Sequence, residues 1–471
     1  MCTTGREQML QDDCAEVRVI YSITSSAMAS SVGGSSGLVH GSSSGTSGAL
    51  ILILFSILSI SGSIGHCCAP PEQSAPAFQV QYTRETYMLF GACNCTPAAL
   101  GPSRRGLLCA GGAGFVTALV GTLIGSGRTA HAKTLSGPVP EIDRLNVTIV
   151  DDIMVRRNAP TQKLDGLTVE RAQPNEVPDR APRATLVGEW GLSMHAESHR
   201  GDEVRQILVD FGYNPVTMLN NMDILKISPE KLDSLVLSHG HYDHFGGLVG
   251  FLSAAKGKLK PRLPFFVGGE DCFCTRIYSN GGQYGALDRK AILDADLLLM
   301  MAEQPAIVAD HAFTTGKIAQ SGFEKPLRNT QEKVGVVDGF GCFPEKITAA
   351  KNTGTFVPDD FEHEIGTNFL LKGKGLVVLT SCSHRGIINT IKQAQVASGV
   401  QKVHAVIGGF HLLPPLTDDY FREVIAALKE INPDYLMPAH CVGEPFYDMV
   451  RSEMPGKVFQ SNVGTRYLFT A

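Results

Sequence analysis

The chain has 471 residues, a hydrophobic content of 43% and a formal net charge of −5, values that fit a globular protein with a large core. It contains no block rich in lysine and arginine, so we do not expect nucleic acid as a partner. Seven of its twelve cysteines precede residue 133, and the remaining five, an odd number, exclude a full disulfide framework but allow one or two bridges.

The first 87 residues lack the periodicity of a folded domain. Residues 19–71 contain no charged side chain, and serine and glycine dominate residues 22–47. The apolar run at residues 49–60 is shorter than the ~18 residues that a membrane span needs. We interpret residues 1–87 as disordered or as an over-extended start of the gene, with Met88 as the real start.

Residues 88–132 have the parts of a signal peptide in the expected order. Arg104 and Arg105 precede an uncharged stretch at residues 106–127, and residues 130–132 read Ala-His-Ala, a small-x-small cleavage pattern. This arrangement resembles a twin-arginine export signal, and an amino-terminal transmembrane anchor is the alternative. We therefore expect a mature chain of residues 133–471 in the periplasm, without a membrane span of its own.

Strands and helices are predicted along the whole mature chain. The early pattern predicts strands at 145–150, 206–212 and 232–237, a strand or hairpin at 184–194, a loop at 156–183, and helices at 216–225 and 248–256. Residues 268–363 show no clean period and are predicted to be strands with inserted loops that form part of a pocket wall. The later pattern predicts a hairpin at 369–379, helices at 387–396, 420–431 and 446–454, and strands at 403–408, 435–437 and 458–469. Two sheets packed face to face with helices outside, an α+β class, fit this order.

The most informative segment is SHGHYDHFGG at residues 238–247. It places His239, His241, Asp243 and His244 within six positions, directly after the apolar strand at 232–237. These four side chains cannot all point one way on a helix or a strand, but they converge if the strand ends and the chain turns tightly, which the glycines of the motif permit. Imidazole and carboxylate together suit zinc, iron or manganese.

This H-x-H-x-D-H pattern after a buried strand resembles the signature of the metallo-β-lactamase superfamily. Three later segments, SCSHRG at 381–386, IGGFHL at 407–412 and PAHC at 438–441, extend the resemblance to the branch of 7,8-dihydropterin-6-methyl-4-(β-D-ribofuranosyl)-aminobenzene-5′-phosphate synthases. The resemblance covers residues 145–471 and implies a four-layer αββα sandwich whose ligand loops gather along one edge of the sheets.

The resemblance also implies a metal site of one or two ions. His239, His241 and His384 are expected to hold one ion, and Asp243, His244 and His440 a second, with Zn²⁺ as the first choice and iron or manganese as alternatives. Such a site supplies a metal-bound hydroxide at neutral pH. Asp243 could also accept a proton during turnover.

The pattern departs from the superfamily at one place. His411 stands where an aspartate usually bridges two ions, so it could replace that bridge or contact the substrate, and a one-metal site remains open. Asp418 and Asp419 are expected to serve instead as partners of a helix dipole. Asp210 resembles an early aspartate of the family, whose expected role is to orient a ligand histidine.

Two further segments are candidates for substrate contact. Arg385 begins a predicted helix and could bind an anion such as phosphate, although a solvated arginine is the alternative. Glu189 precedes Trp190, the only tryptophan, which could stack on a flat ring but is expected to pack in the core. The leading hypothesis is a metal-dependent hydrolase of a small anionic ester-like or phosphoester substrate. The alternatives are a transferase of the synthase type and a non-catalytic metal-binding or ligand-sensing protein.

Overall fold

The computed structural model describes residues 134–156, 159–172 and 184–471. The predictions of an upstream segment at 1–87 and of a signal peptide at 88–132 lie outside these residues and stay predictions. Within the described ranges, no helix is both long enough and apolar enough to cross a membrane.

Strands dominate the first two thirds of the described chain and alternate with helices afterwards. The strands are β1 Glu141–Ile142, β2 Arg144–Asp151, β3 Gln162–Leu164, β4 Leu167–Arg171, β5 Ser193–Arg200, β6 Glu203–Val209, β7 Ser234–Val236, β8 Pro264–Val267, β9 Thr275–Tyr278, β10 Gln283–Gly285, β11 Leu298–Met301, β12 Ile307–Val308, β13 Ala312–Thr314, β14 Thr330–Lys333, β15 Gly335–Val337, β16 Phe340–Cys342, β17 Val357–Pro358, β18 Thr367–Leu371, β19 Gly375–Thr380, β20 Val403–Gly409, β21 Tyr435–Ala439 and β22 Thr465–Thr470. The helices are α1 Pro215–Leu225, α2 Tyr242–Phe245, α3 Leu248–Ala254, α4 Arg289–Asp294, α5 Ile387–Ser398, α6 Asp418–Ile431 and α7 Glu444–Glu453.

Two large sheets form the centre of the fold. One has nine strands in the order β11-β8-β7-β6-β5-β2-β22-β4-β3, and the other has seven, in the order β12-β13-β18-β19-β20-β21 with β1 beside β18. Strands β6, β7 and β8 run parallel, as do β19, β20 and β21. The carboxyl ends of neighbouring parallel strands lie at the same edge of a sheet, so the loops that follow these strands are gathered together.

The two faces of each sheet bury different partners. In β19, Val377 and Leu379 point into the core between the two sheets, whereas Leu376 and Val378 pack with α5, α6 and α7. Helices α1 and α3 cover the outer face of the nine-stranded sheet in a third buried cluster. Each fully buried Leu or Val side chain contributes about 1.5–3 kcal/mol, and the alternation of side chains along a strand distributes this gain over both faces. The fold is therefore a four-layer αββα sandwich of the α+β class, as predicted.

Residues 268–363 form strands with inserted loops, again as predicted: β11, β12 and β13 join the two large sheets, and the other strands form smaller ones. Strands β10, β9, β14 and β17 make a four-stranded sheet, and β15 and β16 pair as a hairpin. A disulfide between Cys274 and Cys342 joins the residue before β9 to the last residue of β16. The free cysteines of the described residues are Cys272, Cys382 and Cys441, all buried.

Three predictions about local structure were wrong. The predicted loop at 156–183 contains β3 and β4, because β4 pairs with β22, a strand almost 300 positions later that a local pattern cannot reveal. The predicted strand at 184–194 is non-regular until Ser193, where β5 begins. The predicted strand at 458–469 is likewise shorter and begins at Thr465.

Candidate metal centre

The candidate centre lies in the loops that follow the parallel strands. Strands β6 and β7 end just before Asp210 and the motif at 238–247, respectively. Strands β19, β20 and β21 end before His384, His411 and His440. Ring contacts between the loops, such as the 4.8 Å between the ring centroids of His239 and His384, show that the two sheets deliver their loops to one place.

A first group of donors consists of His239, His241 and His384. One ring nitrogen from each lies within 4.8 Å of the others, and all three side chains are buried. Nε2 of His239 and both ring nitrogens of His384 have no hydrogen-bond partner among the described residues. Buried polar atoms normally have a hydrogen-bond partner, so ring nitrogens that lack one are available to bind a metal ion.

A second group consists of Asp243, His244 and His440. Their donor atoms also lie within 4.8 Å of one another, and Oδ2 of Asp243 is 3.3 Å from Nε2 of His440. The hydroxyl of Tyr284 donates to Oδ1 of Asp243 at 2.6 Å, which holds the carboxylate in place. The structure thus brings together all six predicted ligands in the two predicted sets.

Asp210 organises one histidine of each group. Its carboxylate accepts hydrogen bonds from Nδ1 of His244 at 2.8 Å and from the hydroxyl of Ser238 at 2.7 Å. Because that hydroxyl donates to Asp210, it accepts from Nδ1 of His239 at 2.9 Å. In both histidines the proton therefore sits on Nδ1, and the lone pair of Nε2 is directed to the centre.

Two other buried carboxylates hold the loops that follow strands β19 and β21 of the seven-stranded sheet. Glu364 accepts from the backbone N–H of His384 at 2.8 Å and of Arg385 at 2.7 Å. Asp152 accepts from the backbone N–H of His440 at 2.9 Å. These contacts fix the two loops by their backbones and leave the imidazole rings free to act as ligands.

Several loop residues adopt the left-handed backbone conformation, which is costly without glycine. The φ angles are 58° at Ser383, 50° at His411 and 51° at His440. The carboxylate of Asp152 stabilises the turn at His440, and the hydroxyl of Ser383 donates to the carbonyl of Gly409 at 2.9 Å. The surroundings thus impose the conformation that turns each side chain toward the centre.

Protonation states at the centre also suit cation binding. Burial lowers the pKa of His239, His241 and His384 well below the usual histidine value, so these rings are neutral and keep a lone pair. Burial alone would raise the pKa of Asp243, but the adjacent His244 and His440 rings lower it far below its usual range. Asp243 stays ionised, which suits a ligand and disfavours the predicted role as a proton acceptor. At His244, burial lowers the pKa, but the carboxylates of Asp243 and Asp210 raise it to about 9, so a cation must displace the Nε2 proton of this ring. With that proton displaced, imidazoles and one carboxylate are a donor set that fits a divalent cation such as zinc.

The centre opens into a cavity of about 570 Å³. His241, Asp243, His384 and His440 lie on its floor. Its walls include Trp190, Tyr278, Tyr284, Arg328, Asn329 and Leu413, so flat apolar surfaces surround the metal ligands and one guanidinium lies on the wall. A pocket of this kind suits a small organic substrate with a few polar groups.

Comparisons with known proteins agree with this geometry. A family model described as the metallo-beta-lactamase superfamily matches residues 202–261, which include β6, β7 and the histidine motif. In structure, the chain is similar to Tm1679, described as a metal-dependent hydrolase of the beta-lactamase superfamily, with a TM-score of 0.50 and 21% identity over 68% of this chain and 98% of that one. The chain therefore has the metallo-β-lactamase fold, and the part that carries the histidine motif matches the superfamily model.

Two proteins of Methanocaldococcus jannaschii are similar to this chain in sequence. One is 7,8-dihydropterin-6-methyl-4-(beta-D-ribofuranosyl)-aminobenzene-5′-phosphate synthase, with 29% identity over 272 residues, which cover 56% of this chain and 84% of the synthase. The other is the uncharacterized protein MJ0448, with 27% identity over 241 residues, which cover 51% of this chain and 80% of that protein. The resemblance to the synthase branch is thereby confirmed.

The structure does not bring two of the predicted substrate residues to the cavity of this metallo-β-lactamase fold. The guanidinium of Arg385 donates to the backbone carbonyls of Ile318 and Asp360, both at 2.7 Å, so it braces loops instead of facing an anion. Glu189 accepts from the backbone N–H of Asn214 and the hydroxyl of Thr217 at the start of α1. Both side chains form hydrogen bonds with residues distant in sequence, which the local sequence pattern could not predict.

Trp190 and His411 do reach the cavity. Trp190 is 47% exposed, and its ring lies 5.3 Å from that of His440, so the expectation that it packs in the core was wrong. The His411 ring lies 4.1 Å from that of His384, and His411 lines the cavity. His411 is therefore within reach of both a cation and a substrate, and its two predicted roles stay open.

Other residues of the candidate metal centre were not predicted from the sequence. Cys382 and Cys441 both line the cavity, and each adjoins a segment that carries a ligand histidine, a signal that could have identified them. Tyr284 and Arg328 lie in the region without a clean period, where no local signal marks them. Only the fold of that region places them over the histidine motif.

Proposed function

We propose that this protein is a zinc-dependent hydrolase of a small anionic ester-like or phosphoester substrate. One observation carries the proposal: two groups of buried donors, with bare ring nitrogens, lie on the floor of an aromatic-walled cavity. A divalent cation held by these donors supplies Lewis acidity, which makes water a competent nucleophile near neutral pH. The metal-dependent character of the superfamily supports the reaction class.

The protein's own residues have defined tasks in this proposal. Asp210 sets the tautomers of His239 and His244, and Tyr284 holds Asp243 by a hydrogen bond. These contacts pre-organise the donors, so little reorganisation is needed when a substrate enters. Trp190 covers the His440 side of the cavity and limits access of bulk water.

Arg328 is the residue that we propose for anion recognition. It is exposed on the cavity wall beside Asn329 and forms no ion pair with any other residue that the structure describes. A guanidinium can bind a phosphate or carboxylate through two parallel hydrogen bonds. Together with the rings of Trp190 and Tyr278, it favours a substrate that joins a flat ring to an anionic group.

A second candidate function is a transferase of the synthase type. The observation that favours it is the 29% identity to the dihydropterin-aminobenzene-phosphate synthase, which extends over 84% of that enzyme. The same arginine and aromatic walls could accommodate a phosphorylated aromatic compound. A non-catalytic metal-binding or ligand-sensing role is the remaining alternative, and it predicts ligand binding without turnover.

The test begins with the metal content of the purified full chain and a screen of esters and phosphoesters with and without chelator. We expect chelator-sensitive hydrolysis that His241→Ala abolishes while far-ultraviolet circular dichroism stays unchanged. His199→Ala, at the far end of β5, is the matched control and should retain full activity. Turnover that appears only when a pterin and a phosphoribosyl aromatic are both present would support the transferase, and full activity of His241→Ala would exclude His241 from the centre.

We also propose that the protein is exported to the periplasm by the twin-arginine route. The disulfide between Cys274 and Cys342 supports this location, since disulfides persist mainly in oxidising compartments. The arginine pair and the cleavage pattern before residue 133 support it independently. Amino-terminal sequencing of protein recovered from cell fractions should find a periplasmic chain that begins near Lys133, and a cytoplasmic chain with an earlier start would contradict the proposal.

A further inference from the structure

The sulfur of Cys382 lies between the two donor groups. Its Sγ lies within 4.8 Å of the donor atoms of His239 and His244 together, and of His384 and His411 together. The same sulfur forms a third group with His440 and Cys441. Cys382 is 2% exposed, so this arrangement is internal to the centre. Cys382 thus shares a group with members of both predicted ligand sets although it belongs to neither set.

The separations around this sulfur are those of neighbouring metal ligands. Sγ of Cys382 is 3.2 Å from Nε2 of His244 and 3.3 Å from Sγ of Cys441. With Zn–S near 2.3 Å and Zn–N near 2.0–2.1 Å, two ligands of a tetrahedral ion lie roughly 3.5 Å apart. A single S–H···N hydrogen bond would account for the contact with His244. It would not account for the simultaneous approach to histidines of the other group.

The balance of charge at the centre also favours an additional anionic ligand. The two donor groups contain five histidines, which are neutral as ligands, and one carboxylate, that of Asp243. Two divalent cations carry four positive charges, so one carboxylate leaves most of this charge uncompensated in a buried site. At the sequence position where the superfamily pattern has an aspartate, this chain has His411. A thiolate between the groups supplies the missing negative charge.

We propose that Sγ of Cys382, as a thiolate, is a metal ligand that bridges the two groups. The inference rests on the proposed function, because it requires that the centre binds metal. Coordination releases the thiol proton to solvent and changes no oxidation state. Cys441 is a positioning residue: its Sγ lies 3.3 Å from the sulfur of Cys382 and 3.6 Å from the carbonyl oxygen of Cys382, and its one thiol proton can be donated to either.

Cobalt(II) is the probe for sulfur coordination. The full chain is stripped of metal, loaded with cobalt(II) under reducing, oxygen-free conditions, and its near-ultraviolet spectrum and bound cobalt are measured. We expect a thiolate-to-cobalt charge-transfer band that Cys382→Ser loses. Cys272→Ser is the matched control, a buried free cysteine outside the three groups, and should keep the band. Cys441→Ser should also keep a band.

Cadmium-113 NMR distinguishes a bridging sulfur from a terminal one. We expect two resonances in the cadmium-loaded chain, and Cys382→Ser should shift both of them. Bound cobalt without the charge-transfer band, loss of the band in Cys441→Ser alone, or a shift of only one resonance would overturn the bridging assignment and leave the proposed function intact. A chain that binds no metal would overturn both.

Alkylation of the unmodified protein keeps the inference testable if Cys382→Ser does not fold. Cys382 lines the cavity, so a small reagent such as iodoacetamide can reach it. Zinc should protect Cys382 from labelling in the folded protein, while Cys272, which is buried outside the three groups, should stay unlabelled with or without zinc. Equal labelling of Cys382 with and without bound zinc would contradict sulfur coordination.

Discussion

Replacement of Asp210 by asparagine is the sharpest test of how the centre is organised. The carboxylate of Asp210 accepts from Nδ1 of His244 and from the hydroxyl of Ser238, which in turn accepts from Nδ1 of His239. In the native protein the backbone N–H of Ser238 donates to Oδ1 of Asp210 at 2.7 Å, and the amide oxygen of Asp210→Asn can accept the same bond. The NH₂ group of the variant would then face the Ser238 hydroxyl and Nδ1 of His244. Both histidines must then accept at Nδ1 and carry their proton on Nε2, where the metal lone pair is needed.

The magnitude follows from the number of ligands affected. Loss of one such orienting partner costs about 10- to 100-fold in metal affinity, or about 1.4–2.7 kcal/mol. Because Asp210 orients one histidine of each group, we expect Asp210→Asn to weaken both sites by at least this factor. Competition with a chromophoric chelator for zinc measures both affinities, and thermal unfolding of the metal-free protein separates lost affinity from lost stability.

Asp233→Asn is the matched control. Asp233 lies at the other end of β7, where its carboxylate accepts from the backbone N–H of Gln206 at 2.7 Å and from Lys260 at 2.5 Å. This variant loses comparable hydrogen bonds without touching the centre, so its zinc affinity should equal that of the unmodified protein. Unchanged affinity in Asp210→Asn, or an equal loss in both variants, would refute the tautomer argument.

Three further predictions concern the cavity, a helix start and the disulfide. Trp190→Ala should raise KM at nearly unchanged kcat by the ~0.5–1.5 kcal/mol of a lost ring contact, and steady-state kinetics that show unchanged KM would count against stacking. Burial raises the pKa of Glu324, which lies at the start of α5, from 4.5 to about 7. The contribution of its protonated carboxyl to the free energy of unfolding is therefore present below pH 4.5 and is lost as pH rises through 7. Glu324→Gln should remove up to ~3 kcal/mol of that pH dependence in unfolding measurements, and an identical pH profile would contradict this expectation. Cys274→Ser should lower the free energy of unfolding by about 4 kcal/mol, because the disulfide closes a loop of 68 positions. Urea titrations with and without reductant should show that only the unmodified protein is destabilised by reductant.

Local patterns predicted the elements whose partners are their own neighbours. The hairpin of β18 and β19 follows from two apolar runs joined by the glycine-containing turn at 372–375, and the amphipathic helix α6 follows from a period of 3.6. Asp418 and Asp419 occupy the first turn of α6, as expected. Strand β3 is exposed and polar because it lies at the edge of the nine-stranded sheet. Its pattern resembles that of a loop, and only its pairing with β4 makes it a strand.

The distinction between local patterns and contacts distant in sequence applies to the metal centre as well. The apolar runs predicted the strand ends at which the donors lie, whereas the resemblance of the motifs to the metallo-β-lactamase superfamily implied the six ligands and their two sets. The role expected for Asp210 came from the same resemblance. The side chains of Arg385 and Glu189 bind backbone groups of distant loops and do not line the cavity, so their role as substrate contacts stays a prediction that this placement does not favour.

The sequence by itself determined the kind of chemistry: the types of donor, the strands that carry them, and the superfamily that they indicate. Only the tertiary structure decided which other side chains share the space, namely that Cys382 lies between the groups, that Tyr284 holds Asp243, and that Arg328 and Trp190 form the cavity wall. The physical reason is that a strand end directs its own side chains through local geometry. Distances between side chains far apart in the chain are set by the packing of the two sheets and of the inserted region above them.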